Sequence, residues 1–245
     1  MKTPKLGLAG HREDKRGRTL KLKDFLRAGL VYPAACDLTT DVGRDTDDLG
    51  NVDVGCCAIA GPGHFFRWED RIHGLPETVG RAQVIDGYQH FGYVPGDEST
   101  DNGCYALDVM KWLRKDGLAG RKIRAFAQVN YFDSDEIAKA CFLLGGVFLC
   151  FSLPNRVKDG SVFDAEAWDV ATEDGGRAGG HLVWCEGSNL VNSWGRRIRV
   201  EDAFISHYCF DAYAVVSETA CAEGGRAYSG LDLAGLDDAL RSVTA

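Results

Sequence analysis

The hydrophobic pattern of this chain changes period along its length, and that change limits the folds open to it. Before residue 145 the apolar residues recur mainly at helical spacing. Residues 104–115 place Ala106, Leu107, Met110, Trp112 and Leu113 on one broad stripe, with Gly117 where a C-cap belongs. Residues 134–144 open on Ser134 with Asp135 and Glu136 in the first turn, which favours a helix start. Residues 64–72 and 78–91 read as two further helices, and Gly61-Pro62-Gly63 opposes helix just ahead of the first of them. Residues 19–30 suit a short amphipathic helix stopped by Pro33. Residues 123–129 alternate as a strand, and 147–153 form an apolar run that reads as a buried strand. From Gly180 onward short strands follow at 181–186, 189–194, 197–200 and 212–217. Helices first and strands later predict an α+β fold. A tail from residue 222 carries one weak helical pattern at 236–241.

Composition sets the compartment and the partners. The 245 residues suffice for one large domain or two modest lobes. No apolar run approaches the ~20 residues of a membrane span, so no membrane partner is expected. The first eight residues lack the apolar core of a secretory signal. Nine cysteines leave at least one unpaired within the chain, and none forms a CxxC pair. Reduced thiols in the cytoplasm fit this pattern, and neither a metal nor a cofactor is expected. The net charge of −8 divides into +6 on residues 1–35 and −14 on the remainder. The chain therefore reads as a basic arm (1–35), a domain (36–221) and a tail (222–245). The arm is either a solvated tail or a segment that docks on an acidic protein surface. Nucleic acid is not expected as a partner, because the acidic body repels phosphate and no recognised binding module is present.

The candidate chemistry lies in a thiol, an imidazole and an amide far apart in the chain. Cys57 follows Leu49-Gly50-Asn51-Val52-Asp53-Val54-Gly55-Cys56 at a predicted helix start, where exposed N–H groups lower a thiol pKa. His181 stands in Gly179-Gly180-His181, and Asn192 opens Asn192-Ser193-Trp194-Gly195. Each has a plainer reading: a packed cysteine, a core histidine, a turn. Taken together and in this order they resemble the papain-like cysteine peptidase superfamily. That resemblance implies a two-lobed fold, with a helical lobe followed by an antiparallel β-rich lobe. It implies hydrolysis of a peptide or amide bond in a peptide or protein substrate, with Cys57 as nucleophile, His181 as its base and Asn192 orienting the ring. It places Asn51 and the Cys57 backbone N–H at the oxyanion hole, and Gly103 and Gly180 along the substrate cleft. Asn51 is one methylene shorter than the family's glutamine, and Ala58 replaces the aromatic that usually follows the nucleophile.

The closer similarity is to papain-like proteins encoded by tailed phages and prophages. It rests on the Leu-Gly-Asn-x-x-x-Gly-x-Cys leader, the Asp101-x-Gly103 loop before a Trp-containing helix, and the strand before Leu153-Pro154. It implies a second reading, in which the chain is a virion structural component attached through its arm, with weak or no catalysis. His64 and Glu69 lie on different faces of a helix and so make a poor metal pair, and His207 to Phe210 read as core.

Overall fold

A computed structural model of the chain describes residues 4–13, 20–26, 29, 32–33, 36–157, 167–170 and 175–222. The predicted helix at 236–241 lies outside them. Three helices come first: α1 (Cys57–Ile72), α2 (Arg81–Gln89) and α3 (Ala106–Lys115). Strand β1 (Ile123–Gln128), helix α4 (Ser134–Leu144) and strand β2 (Val147–Pro154) follow. Then come β3 (Ala167–Trp168), β4 (Arg177–Cys185), β5 (Leu190–Ser193), β6 (Arg196–Val200), α5 (Asp202–Tyr208), β7 (Cys209–Ser217) and α6 (Glu218–Ala222). The strands form one sheet in the order β1-β7-β2-β4-β5-β6-β3, antiparallel except where β3 meets β6. The architecture is α+β, with helical elements ahead of a β-rich half.

Helix α1 corrects the expectation of a break at Gly61-Pro62-Gly63. It runs unbroken from Cys57, with Pro62 inside it. Packing outweighs propensity here: thirteen of its sixteen residues are buried, and the glycines permit close approach. A methyl group on Gly61 would be driven into the Leu182 side chain, and one on Gly63 would stand 2.9 Å from Leu49 Cδ1. The helix penalty of about 1 kcal/mol per glycine is the cost of that proximity.

Helix α4 occupies the predicted residues, but its cap is Asp133 rather than Ser134. The Asp133 carboxylate accepts from the N–H groups of Asp135 and Glu136 at 3.0 and 3.2 Å, and Gly145 ends the helix at φ 76°. The amphipathic helix expected at 19–30 is reduced, among the described residues, to a single 3₁₀ turn at Leu22–Asp24. Leu22 is fully buried beneath it. Helix α5 was not apparent in the sequence. Its seven residues mix β-favouring and polar types, and it is held by Phe204, Ile205 and Tyr208 on its buried side.

The described residues of the basic arm make contacts with the body of their own chain. Lys5 pairs with Asp101 at 3.3 Å, His11 Nδ1 lies 3.0 Å from Asp211, Arg12 pairs with Asp108, and Lys21 donates to Gln128. Carboxylates of the body, Asp101, Asp108 and Asp211, thus face described residues of the arm.

Candidate active site

Cys57 opens α1 with no side chain capping the helix above it, so the thiol sits among unspent N–H donors. The sulfur is fully buried and lies 3.5 Å from the Leu182 backbone N–H, one residue past His181. Burial pushes the thiol pKa up to about 11. Backbone N–H groups of Leu182, Gly7, Ala58 and Cys57 itself pull in the opposite direction. Two further thiols, Cys56 and Cys104, are raised by burial and by the neighbouring sulfurs.

What buries Cys57 is the arm. Residues 5–9 run in extended form between the helical half and β4. Lys5 N donates to Val52 O at 3.3 Å, Leu8 N to Gly180 O at 3.0 Å, Ala9 N to Cys104 O at 2.9 Å, and Cys104 N to Gly7 O at 3.0 Å. Leu8 bridges parallel to Cys104 and antiparallel to Gly180. Gly103, at φ 74°, lies against the Gly7 backbone, and Gly180 lies against Leu8. The Gly7 backbone is among the groups that pull the thiol pKa down, so the segment passes close to the sulfur. Asn51 is buried beside this segment, one residue before the Val52 carbonyl that receives Lys5.

The alternation of β4 decides where the imidazole points. Leu182 and Trp184 face α1: a methyl on Gly61 would meet Leu182, and Trp184 packs on Phe65 and Trp68. The His181 ring therefore projects from the other face. There it stacks on Trp194 at 4.2 Å and lies 6.5 Å from the Trp168 ring. Trp194 sits at φ 54°, a left-handed backbone that turns its indole onto the ring. His181 Nε2 bonds to Ser193 Oγ at 2.8 Å, and Nδ1 has no hydrogen-bond partner. Burial pushes the His181 pKa down to about 3, so the ring is neutral at pH 7.

Asn192 pairs across the sheet with Trp184, which puts it on the face opposite Ser193. Its Nδ2 donates to Asp45 O at 2.8 Å, and its Oδ1 is unpaired. The structure thus brings Cys57 beside the backbone of residue 182 but does not bond its sulfur to the imidazole, nor Asn192 to His181. Three buried polar atoms without hydrogen-bond partners, Asn51 Oδ1, His181 Nδ1 and Asn192 Oδ1, belong to the residues singled out from the sequence. Such atoms cost about 1–3 kcal/mol each, which makes them candidates for use in function.

Sequence reasoning missed Ser193, Gly55 and Gly7. The period of two along 189–194 already separates Ser193 from Asn192, but the register that selects Ser193 is a property of the sheet. It also missed the role of His64, whose Nδ1 lies 2.9 Å from Asp45 Oδ2 in the interior. Burial would raise Asp45, but His64 and Arg67 outweigh it and hold the carboxyl below its usual range. This pair anchors the loop whose carbonyl receives Asn192. Among the described residues no group of His, Cys, Asp or Glu is placed to hold a metal, and no helix is long and apolar enough to cross a membrane.

The depressed His181 pKa carries a stability consequence. Between pH 6.5 and about 3 the unfolded chain binds a proton at this ring and the folded chain does not, so stability falls as pH is lowered through that window. Thermal denaturation between pH 7 and 4 should show a smaller loss in His181→Phe than in the native chain. An equal loss in both would remove the buried imidazole as the cause.

No protein-family model matches the sequence, and no curated protein matches it. Solved structures do. Xylellain, a cysteine protease from Xylella fastidiosa, superposes with a TM-score of 0.67 at 19% identity, over 88% of this chain and 97% of its own. A structure from work on the mite allergens Blo t 1 and Der p 1 gives 0.53 at 13% identity, over 77% and 72%. The Carica candamarcensis cysteine protease CMS1MS2, solved with E-64, gives 0.51 at 11%, over 76% and 99%. The chain has the papain-like two-lobed fold.

Proposed function

We propose that the chain is a papain-type thiol hydrolase of peptide or amide bonds, held latent by its own N-terminal segment. The observation that carries this reading is residues 5–9, laid along the groove with backbone bonds to Val52 and Cys104 on one side and to Gly180 on the other. A groove that binds a peptide backbone in this way is built to bind peptide. The thiol at about 11 is protonated at neutral pH, which suits a resting form.

Once the segment leaves, His181 takes the Cys57 proton and the resulting thiolate adds to a substrate carbonyl carbon. The oxyanion accepts from the Cys57 N–H and the Asn51 side chain. The C–N bond then breaks, and His181 gives the leaving amine its proton. Water, deprotonated by the same ring, cleaves the thioester and restores the thiol. Gly179-Gly180, directly before His181, supplies the backbone freedom for the ring to swing toward the sulfur. Ser193 holds the ring in the closed form, and Asn192, with a free Oδ1, is the acceptor proposed to orient it in the open one.

A second reading has its own support. His181 is unlinked to Cys57 and the chain fills its own groove, as suits a binding protein that keeps the scaffold without catalysis. A phage origin and a virion role rest on sequence resemblance alone. The two readings separate in a full-length Leu8→Asp chain, whose arm is displaced. Iodoacetamide should label Cys57, and adding His181→Ala with the fold intact should slow that labelling at least about tenfold, within the range expected of a positioned base. Equal labelling in both favours the non-catalytic scaffold.

A further inference from the structure

The groove at the sulfur is a slot with main-chain walls. A methyl group on Gly7 would be driven into the Gly55 carbonyl. Beside it, a methyl on Gly103 would stand 2.5 Å from the Gly7 carbonyl carbon and oxygen. Side-chain walls yield by changing rotamer, but main-chain walls yield only if the element moves.

Here the two walls are tied to each other. Gly55 N donates to both Asp101 oxygens at 3.0 and 3.2 Å. Asp101 accepts the Tyr88 hydroxyl at 2.8 Å, and that hydroxyl accepts the Gly103 N–H at 2.7 Å. Tyr88 is buried and stacks on Tyr93 at 4.8 Å, so the bridge is anchored in the helical half. On either side of the slot the groove has room for aliphatic groups. The Leu6 side chain lies along Gly179, and Leu8 is buried between Gly180 and Cys104.

We infer that this groove selects substrates carrying glycine at the residue lodged against Cys57, with aliphatic residues on both sides. Leu6-Gly7-Leu8 is the pattern the chain itself places there. The inference rests on the thiol-hydrolase reading and names its substrate class. In the reaction the glycyl carbonyl carbon takes the sulfur, the amine departs with a proton from His181, and water releases a peptide ending in a glycine carboxylate.

The test uses the full-length Gly7→Ala chain, in which the added methyl keeps the arm out of the slot. Leu8→Asp serves as a second route to the same state. Each is treated with chloromethyl ketones of the form Leu-Gly, Leu-Ala and Leu-Phe, and with iodoacetamide as a peptide-free control. The Leu-Gly probe should label Cys57 about 10- to 100-fold faster than Leu-Ala, the range expected from forcing one methyl into a packed site, and Leu-Phe should not react. Equal rates for the glycine and alanine probes, with iodoacetamide labelling intact, overturn the selectivity and leave the hydrolase reading standing. Failure of iodoacetamide to reach Cys57 in either variant takes down both.

Discussion

Replacing Leu8 by Asp should raise the alkylation rate of Cys57 by iodoacetamide on the order of 10²-fold at pH 7.5. Leu8 is buried in the groove, where an ionised carboxylate would have no partner and would cost several kcal/mol. The side-chain ties that flank this stretch, Lys5 to Asp101 and Arg12 to Asp108, are part-exposed ion pairs worth at most about 1 kcal/mol each. Loss of Leu8 therefore releases residues 5–9 and lets water reach a thiol whose pKa is raised to about 11 by burial. At that value roughly one sulfur in 10⁴ is ionised near neutral pH, against a few per cent for an ordinary thiol near 8.5. The helix N-terminus favours the thiolate further once water is present. Reactivity at the native level in Leu8→Asp, measured by mass spectrometry at Cys57 with an unchanged circular dichroism spectrum, would show that the arm does not control the thiol.

Trp184→Ala should destabilise the fold by about 3–5 kcal/mol, lowering the melting temperature by roughly 6–20 °C for a chain of this size. Trp184 is almost wholly buried and joins the two halves. Its ring lies 5.7 Å from Trp68 and 6.4 Å from Phe65 on α1, and it pairs with Phe148 across β2. Its Nε1 donates to Gly145 O at 3.0 Å, closing the end of α4. Truncation opens a cavity between α1 and β4 and leaves that carbonyl without its donor, two costs that add. A drop of less than about 3 °C would mean that the halves are held elsewhere.

The seating of residues 5–9 in the groove was not visible in the sequence. Residues 1–35 read either as a solvated basic tail or as an arm that docks on an acidic surface, on the strength of charge. What seats the arm is backbone pairing of Leu8 with Cys104 and Gly180, together with two neutral residues, Gly7 and Leu8, that the charge pattern passes over. The Asp101–Tyr88 bridge that spaces the slot walls was hidden for a similar reason. It joins Asp101 of the Asp101-x-Gly103 loop to a helix residue thirteen positions earlier, Tyr88, which no motif singles out.

The α+β order of the main elements, helices first and strands later, was legible in the sequence alone, and so was the choice of Cys57, His181 and Asn192 as candidates, because hydrophobic period and motif spacing are local properties. Tertiary structure alone decided that α1 passes unbroken through Gly61-Pro62-Gly63, where contact with Leu182 and Leu49 outweighs propensity. It also decided that Ser193 rather than Asn192 meets the imidazole in the arm-closed form, because the β4–β5 register sets which alternate residues share a face. Register and close approach are relations between segments distant in the chain, and no local pattern encodes them.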